Sequence, residues 1–164
     1  MRAHVRNQAD NPKEKPAVQA HIVMLQGIIN RVAGNSANCK TWTVAIIGGI
    51  LSMSNIGIPF LFISLLICVV FLLLDCFYLG VEREIIAEQE DFLNDMDNGK
   101  DIDYRLYKID RYKIDRSPQE WGRHFDLIKG SLKSGSIRLF YYPLLGGLFL
   151  LYCICLFREI CHTQ

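Results

Sequence analysis

Three stretches of this chain are apolar enough to read as membrane spans, and nearly all of the charge lies to one side of them. The clearest, Ile58 to Tyr78, reads IPFLFISLLICVVFLLLDCFY, with Asp75 its only ionisable side chain apart from Tyr78. At a rise of about 1.5 Å per residue such a helix crosses the roughly 30 Å hydrocarbon core of a bilayer. Leu139 to Phe157 (LFYYPLLGGLFLLYCICLF) is similar and carries no formal charge. The remaining run, Thr41 to Ile58, is shorter and is interrupted by Ser52, Ser54 and Asn55. Lys40 and Trp42 at its start read as an interface anchor, a cation that can snorkel beside an amphipathic ring. Asn55, Gly57 and Pro59 supply turn chemistry, so the first two spans read as a tight helical hairpin. A cleavable signal peptide is not expected, because the apolar run begins far into the chain without a small-residue cleavage site.

Lys and Arg placement sets the orientation. Arg2, Arg6, Lys13, Lys15, Arg31 and Lys40 precede the first span, and the hairpin turn has none. Arg83, Lys100, Arg105, Lys108, Arg111, Lys113, Arg116, Arg123, Lys129, Lys133 and Arg138 lie between spans two and three, whereas Arg158 alone follows the third. The positive-inside rule then places the N-terminus and the central segment in the cytoplasm and the tail outside. The expected fold class is an all-α membrane protein with three transmembrane helices, N-in and C-out, and a small helical cytoplasmic region. It divides into a disordered N-terminus (1–16), a cytoplasmic amphipathic helix (17–40), a transmembrane hairpin (41–79), a helical cytoplasmic region (80–137), a third span (138–158) and a tail (159–164).

Within the cytoplasmic part, Val18, Ile22, Leu25, Ile29 and Val32 recur at helical spacing, and the helix is expected to weaken at Gly34-Asn35-Ser36. Its apolar face either packs on the cytoplasmic region, lies on the membrane or lines an assembly, and a polar face poor in Lys and Arg favours packing. Val81 to Met96 reads as span two continued, stopped by Asp97-Asn98-Gly99. Tyr107-Lys108-Ile109-Asp110-Arg111 is then repeated as Tyr112-Lys113-Ile114-Asp115-Arg116. Lys108, Arg111, Lys113 and Arg116 with Tyr107 and Tyr112 form a basic, aromatic segment that could grip phosphates and stack bases. The interleaved Asp110 and Asp115 weaken its field, so a charge-laced surface is the favoured reading, with headgroup contact a third. Ser117-Pro118-Gln119-Glu120 has the form of a helix start, followed by a stripe of Trp121, Phe125, Ile128 and Leu132.

Little here resembles a catalyst. The chain has no glycine-rich phosphate loop, no Gly-x-Ser-x-Gly and no His-Glu-x-x-His. The Arg-to-His spacing of HEPN ribonucleases is missed, being too wide from Arg116 to His124 and too narrow from Arg158 to His162. The six cysteines include no Cys-x-x-Cys pair and read as small buried hydrophobes, so neither a metal nor a cofactor is expected. The net charge of +1 leaves no large basic field. Asp75 draws more interest. A carboxylate inside a span is a functional candidate by default, unless it merely reaches the interface near Gly80 and Glu82. With Asn55 in the hairpin turn it makes the candidate pore or gating pair. Gly48-Gly49 and Gly146-Gly147 permit close helix approach, and a pore built from so few spans needs several copies in a ring.

The stretch His21 to Met53, with Gln-Gly-x-Ile-Asn-Arg, then Asn-Ser, then Lys-x-Trp opening a span, resembles the N-terminal part of small bacterial transmembrane effectors of anti-phage defence loci. The resemblance covers about a fifth of the chain. It implies a homo-oligomer of the inner membrane that forms or gates an ion-conducting pore under a cytoplasmic nucleotide or oligonucleotide signal. It gives weight to Gln26, Asn30, Arg31, Asn35 and Ser36, where cytoplasmic helix meets span. Expected partners are the lipid bilayer, further copies of the chain, and either that signal or a partner enzyme from the same operon. The alternative is a non-conducting membrane anchor that recruits a soluble partner through its cytoplasmic helices.

Overall fold

The computed structural model describes residues 15–53, 57–109 and 119–162. Among these there is no β-strand. The helices, in chain order, are α1 (Pro16–Leu51), α2 (Ile58–Asp97), a single 3₁₀ turn (Asp103–Arg105), α3 (Gln119–Leu132) and α4 (Gly135–His162). Two compact units result, one formed by Met1–Arg31 with Glu82–Arg116 and the other by Val32–Val81 with Ser117–Gln164.

Two helices, α2 and α4, are long and apolar enough to cross a membrane. Only 28% and 11% of their apolar windows are buried inside the protomer, whereas the core helix of a soluble domain would be mostly covered. The expectation of three such spans is therefore corrected to two among the described residues. The reason lies in α1, whose apolar part is confined to 41–51, about half of the roughly twenty residues a span requires. Its preceding turns carry Arg31, Asn35, Ser36 and Lys40.

α1 also differs from expectation at Gly34-Asn35-Ser36, where it continues unbroken for 36 residues. Intrinsic preference there is weak, and tertiary packing overrides it, because the buried face runs straight through the triplet. Val18, His21, Leu25, Val32, Ser36, Cys39, Thr43 and Ile47 are all buried, at intervals of three, four and seven residues. The backbone is thus one unbroken helix from Pro16 to Leu51. α2 likewise runs 40 residues without interruption.

In the second unit Ile47, Cys68, Leu72, Cys76, Ile137, Tyr141 and Leu148 make one apolar core drawn from α1, α2 and α4. Hydroxyls inside it are satisfied locally: Thr43 Oγ1 donates to the Cys39 carbonyl at 2.6 Å and Ser64 Oγ to that of Phe60 at 2.9 Å. α3 leans on this unit at one point of contact without slack. A Cβ on Gly80 would lie 2.7 Å from Leu127 Cβ and 3.3 Å from its carbonyl oxygen, so only glycine lets α3 come so near α2. Cys39, Cys68 and Cys76 are buried thiols, whereas Cys153 and Cys161 are exposed.

In the first unit Val18, Phe92, Met96 and Ile102 form a small core. α2 stops after Asp97 with Gly99 at φ 69°, a left-handed residue that ends the helix as the Asp-Asn-Gly sequence predicts.

Candidate functional site

Asp75 sits on the buried face of α2, one position from Cys76 and three from Leu72, and its side chain is 0% exposed. α1 supplies the answering groups. Lys40 Nζ lies 2.6 Å from Asp75 Oδ2, an ion pair in which the ammonium is not aligned for a hydrogen bond to that oxygen. Ser36 Oγ donates to Asp75 Oδ1, and Lys40 Nζ donates to Ser36 Oγ at 3.2 Å. Ser36 and Lys40 are one helical turn apart, so they present both groups to the same point on α2. Tyr141 of α4, fully buried, donates to the Phe71 carbonyl at 3.4 Å. The result is an ionic cross-link between two helices, set among apolar side chains.

A charge buried in this way is expensive unless paired, and the pair recovers little net stability against an apolar replacement. Lys40 is thus not the freely snorkelling anchor expected from its position beside Trp42. Its side chain is only 20% exposed and its charge is committed to Asp75. Trp42 is exposed.

A second ionic cluster lies in the first unit. Arg105 Nη2 reaches Glu88 Oε1 at 2.5 Å and its Nη1 reaches Asp95 Oδ2 at 2.5 Å, while Lys100 Nζ meets Asp95 Oδ1 at 2.7 Å. Burial works against the Arg105 charge, but the two carboxylates outweigh it and hold the guanidinium charged more firmly than usual. The hydrogen bond from Lys100, with Arg105 adding to it, holds Asp95 below the usual carboxylate range. The guanidinium also lies over Phe92, 5.9 Å from the ring centre.

His21 closes this cluster from α1. Its ring packs on Phe92 at 4.5 Å between centres, and its Nδ1 accepts the backbone N–H of Tyr107 at 3.0 Å. An accepting Nδ1 places the ring proton on Nε2. Burial, then the Arg105 charge, pushes the imidazole below its ordinary value, with Glu88 pulling the other way. Tyr107 itself holds φ at 62°, a left-handed conformation costly for a bulky residue, so the His21 bond fixes a strained point of the loop.

Of the residues singled out in the sequence, Asp75 and Ser36 are brought together. Gln26, Asn30 and Arg31 are exposed on α1, and Asn35 is half-buried. Tyr107 and Lys108 are exposed, with Tyr104 beside them in the loop. Asn55, Arg111, Tyr112, Lys113 and Arg116 lie outside the described residues, as do the Ser117-Pro118 helix start and most of 1–16. His21, Glu88 and Arg105 were not anticipated. The one available signal was that His21 stands three residues after Val18 and four before Leu25, on the apolar stripe itself.

Fold and site together define an all-helical chain with two candidate membrane helices and a buried ionic cross-link. Compared with protein-family models, curated proteins and solved structures, the chain matches none of them. Among the described residues no group of three or more His, Cys, Asp or Glu side chains could hold a metal ion.

Proposed function

We propose that this protein is a homo-oligomeric effector of the bacterial inner membrane that forms or gates an ion-conducting pore, acting in anti-phage defence under a cytoplasmic nucleotide or oligonucleotide signal. The observation that supports this most is the Asp75–Lys40–Ser36 cross-link, because charged groups inside a span are rarely kept without a task. In the closed protomer the carboxylate is occupied by Lys40. Separation of α1 from α2 at this point would free it to line a pore mouth, with Asn55 at the opposite end of the hairpin. The segment Tyr107–Arg116 would carry the sensor surface, through Lys108, Arg111, Lys113 and Arg116 with Tyr107 and Tyr112, and Gln26, Asn30, Arg31 and Asn35 would relay its state along α1.

A third, short crossing by α1 belongs to the same reading. His21 and Val18 lie in one unit with Phe92 and Tyr107, which supports a reading with residues 16–31 and 82–109 on one side of a bilayer. On this reading, if α2 spans fully, the apolar 41–51 segment beside it would carry the chain toward the far side. N-in, C-out follows from the Lys and Arg distribution.

Single-channel recording of the purified protein in planar bilayers tests the proposal. Discrete conductance steps altered by Asp75→Asn, and regulation lost on charge reversal at Lys108, Arg111, Lys113 and Arg116, are expected. Unchanged conductance and regulation in those variants would refute it. The rival reading, a non-conducting anchor that recruits a partner, draws on Tyr104 and Tyr107, both 59% or more exposed in the first unit. It predicts a silent bilayer and co-purification of a soluble protein.

A further inference from the structure

α3 has two faces that differ in kind. Ser131 is buried and Leu127, Ile128 and Leu132 are half-buried; Ile128 and Leu132 pack on the apolar core and Leu127 meets Gly80. Phe125, Asp126, Lys129 and Lys133 are exposed, and Phe125, Lys129 and Lys133 follow one another at one-turn intervals along a single stripe. Beyond a tight turn in which Ser134 N–H bonds the Ser131 carbonyl, α4 adds the exposed Arg138 and Leu139, the latter 82% exposed. Among the described residues Lys129, Lys133 and Arg138 have no ion-pair partner. Asp126 offsets one of the three charges, leaving this surface net cationic.

The depth of this surface is fixed by Gly80. The contact of Leu127 with Gly80 sets α3 beside the point where the apolar run of α2 ends at Tyr78 and the acidic, polar helix begins. Arg138 and Leu139 stand at the corresponding end of α4. An aromatic ring and three cations at the rim of a span, on its Lys- and Arg-rich side, meet the phosphate level of a leaflet.

We infer that the exposed face of α3 with the start of α4 is a docking surface for anionic lipid headgroups, with Lys129, Lys133 and Arg138 contacting phosphates and Phe125 seated among the acyl chains beneath them. The inference rests on the membrane-spanning part of the proposed function and is independent of conductance. Each cation near an anionic leaflet raises lipid preference by about fivefold, and the effect falls as salt screens it.

The full chain is reconstituted in phosphatidylcholine vesicles with and without phosphatidylglycerol, and thermal loss of helicity and the lipids retained by the purified protein are measured. Phosphatidylglycerol is expected to raise the Tm by several degrees and to be enriched several-fold among retained lipids. Lys129→Gln with Lys133→Gln and Arg138→Gln should abolish both effects, Lys129→Arg with Lys133→Arg should keep them, and Arg158→Gln, at the far end of α4, should leave them intact. Retention of both effects in the triple Gln variant, or their loss in the Arg158 variant, would overturn the inference. So would an equal rise in phosphatidylcholine on adding inorganic phosphate or an oligonucleotide, which would assign the surface to a soluble ligand. Insertion without any phosphatidylglycerol dependence would sink this inference alone, whereas release of the protein by alkaline carbonate would sink the spanning reading with it.

Discussion

Replacing Lys40 should harm the protein more than replacing its partner Asp75, although both belong to one ion pair. Lys40→Met leaves the Asp75 carboxylate, 0% exposed, with the neutral hydroxyls of Ser36 and neighbouring Tyr141 but no cation to answer its charge. Stranding a buried charge in this way destabilises by about 3–5 kcal/mol. Asp75→Asn keeps an oxygen to accept from Ser36 and leaves an ammonium that is 20% exposed, on a stem long enough to carry it to water. The expected loss there is about 1–2 kcal/mol, the scale of an altered hydrogen bond. The pair Lys40→Met with Asp75→Asn removes both charges and should lie above Lys40→Met alone, closer to wild type. Reversible unfolding in bicelles, followed by helical circular dichroism through a double-mutant cycle, gives all three values and their coupling. Equal losses in the two single variants, or an additive double, would refute the reasoning, since either means that the charges do not depend on each other.

Gly80→Ala gains up to about 1 kcal/mol of helix propensity yet forces a Cβ to within 2.7 Å of Leu127 Cβ, so a net loss of about 1–2 kcal/mol is expected in the same unfolding assay. His21 carries a pH dependence of defined sign: its imidazole is held below the ordinary 6.5, so its contribution is complete above that value and is lost as pH falls below it. Protection of the Tyr107 amide, its slowing relative to an unstructured peptide at the same pH, should therefore fall on acidification, and His21→Phe should show little protection at any pH, because the acceptor is gone. Ser131 Oγ is buried with no hydrogen-bond partner among the described residues, so Ser131→Ala should be neutral or stabilising by up to about 1 kcal/mol in thermal unfolding.

The apolar runs of α2 and α4 were legible because bilayer-length hydrophobicity is a property of composition alone. Asp75 was legible for the same reason, as the one charge where charge is rare. Its partner was not: Ser36 stands 39 residues away, and which turn of α1 faces Asp75 depends on the register of the hairpin, which no local pattern encodes. The break expected at Gly34-Asn35-Ser36 failed because turn-forming residues were judged by their own preference, while Val32, Ser36 and Cys39 are held by a face that continues through them. The stripe at the start of α1 was read correctly at Val18, Leu25 and Val32, but Ile22 and Ile29 are half-buried, and the buried line passes through His21 instead. A histidine on an apolar face was passed over because its acceptor role depends on a loop 86 residues further on. Arg105 was counted among the dispersed charges, and only its burial against Glu88 distinguishes it from them.

The cysteines carry a consequence for any study of opening. Cys39, Cys68 and Cys76 are enclosed where α1, α2 and α4 meet, and Cys39 is adjacent in sequence to Lys40. Cys153 and Cys161 stand exposed in the same chain. If α1 and α2 part as proposed, the native protein holds its own chemical stopwatch: Cys161 near the end of α4 would record how much alkylating reagent was present, and the inner thiols how long the two helices stayed apart.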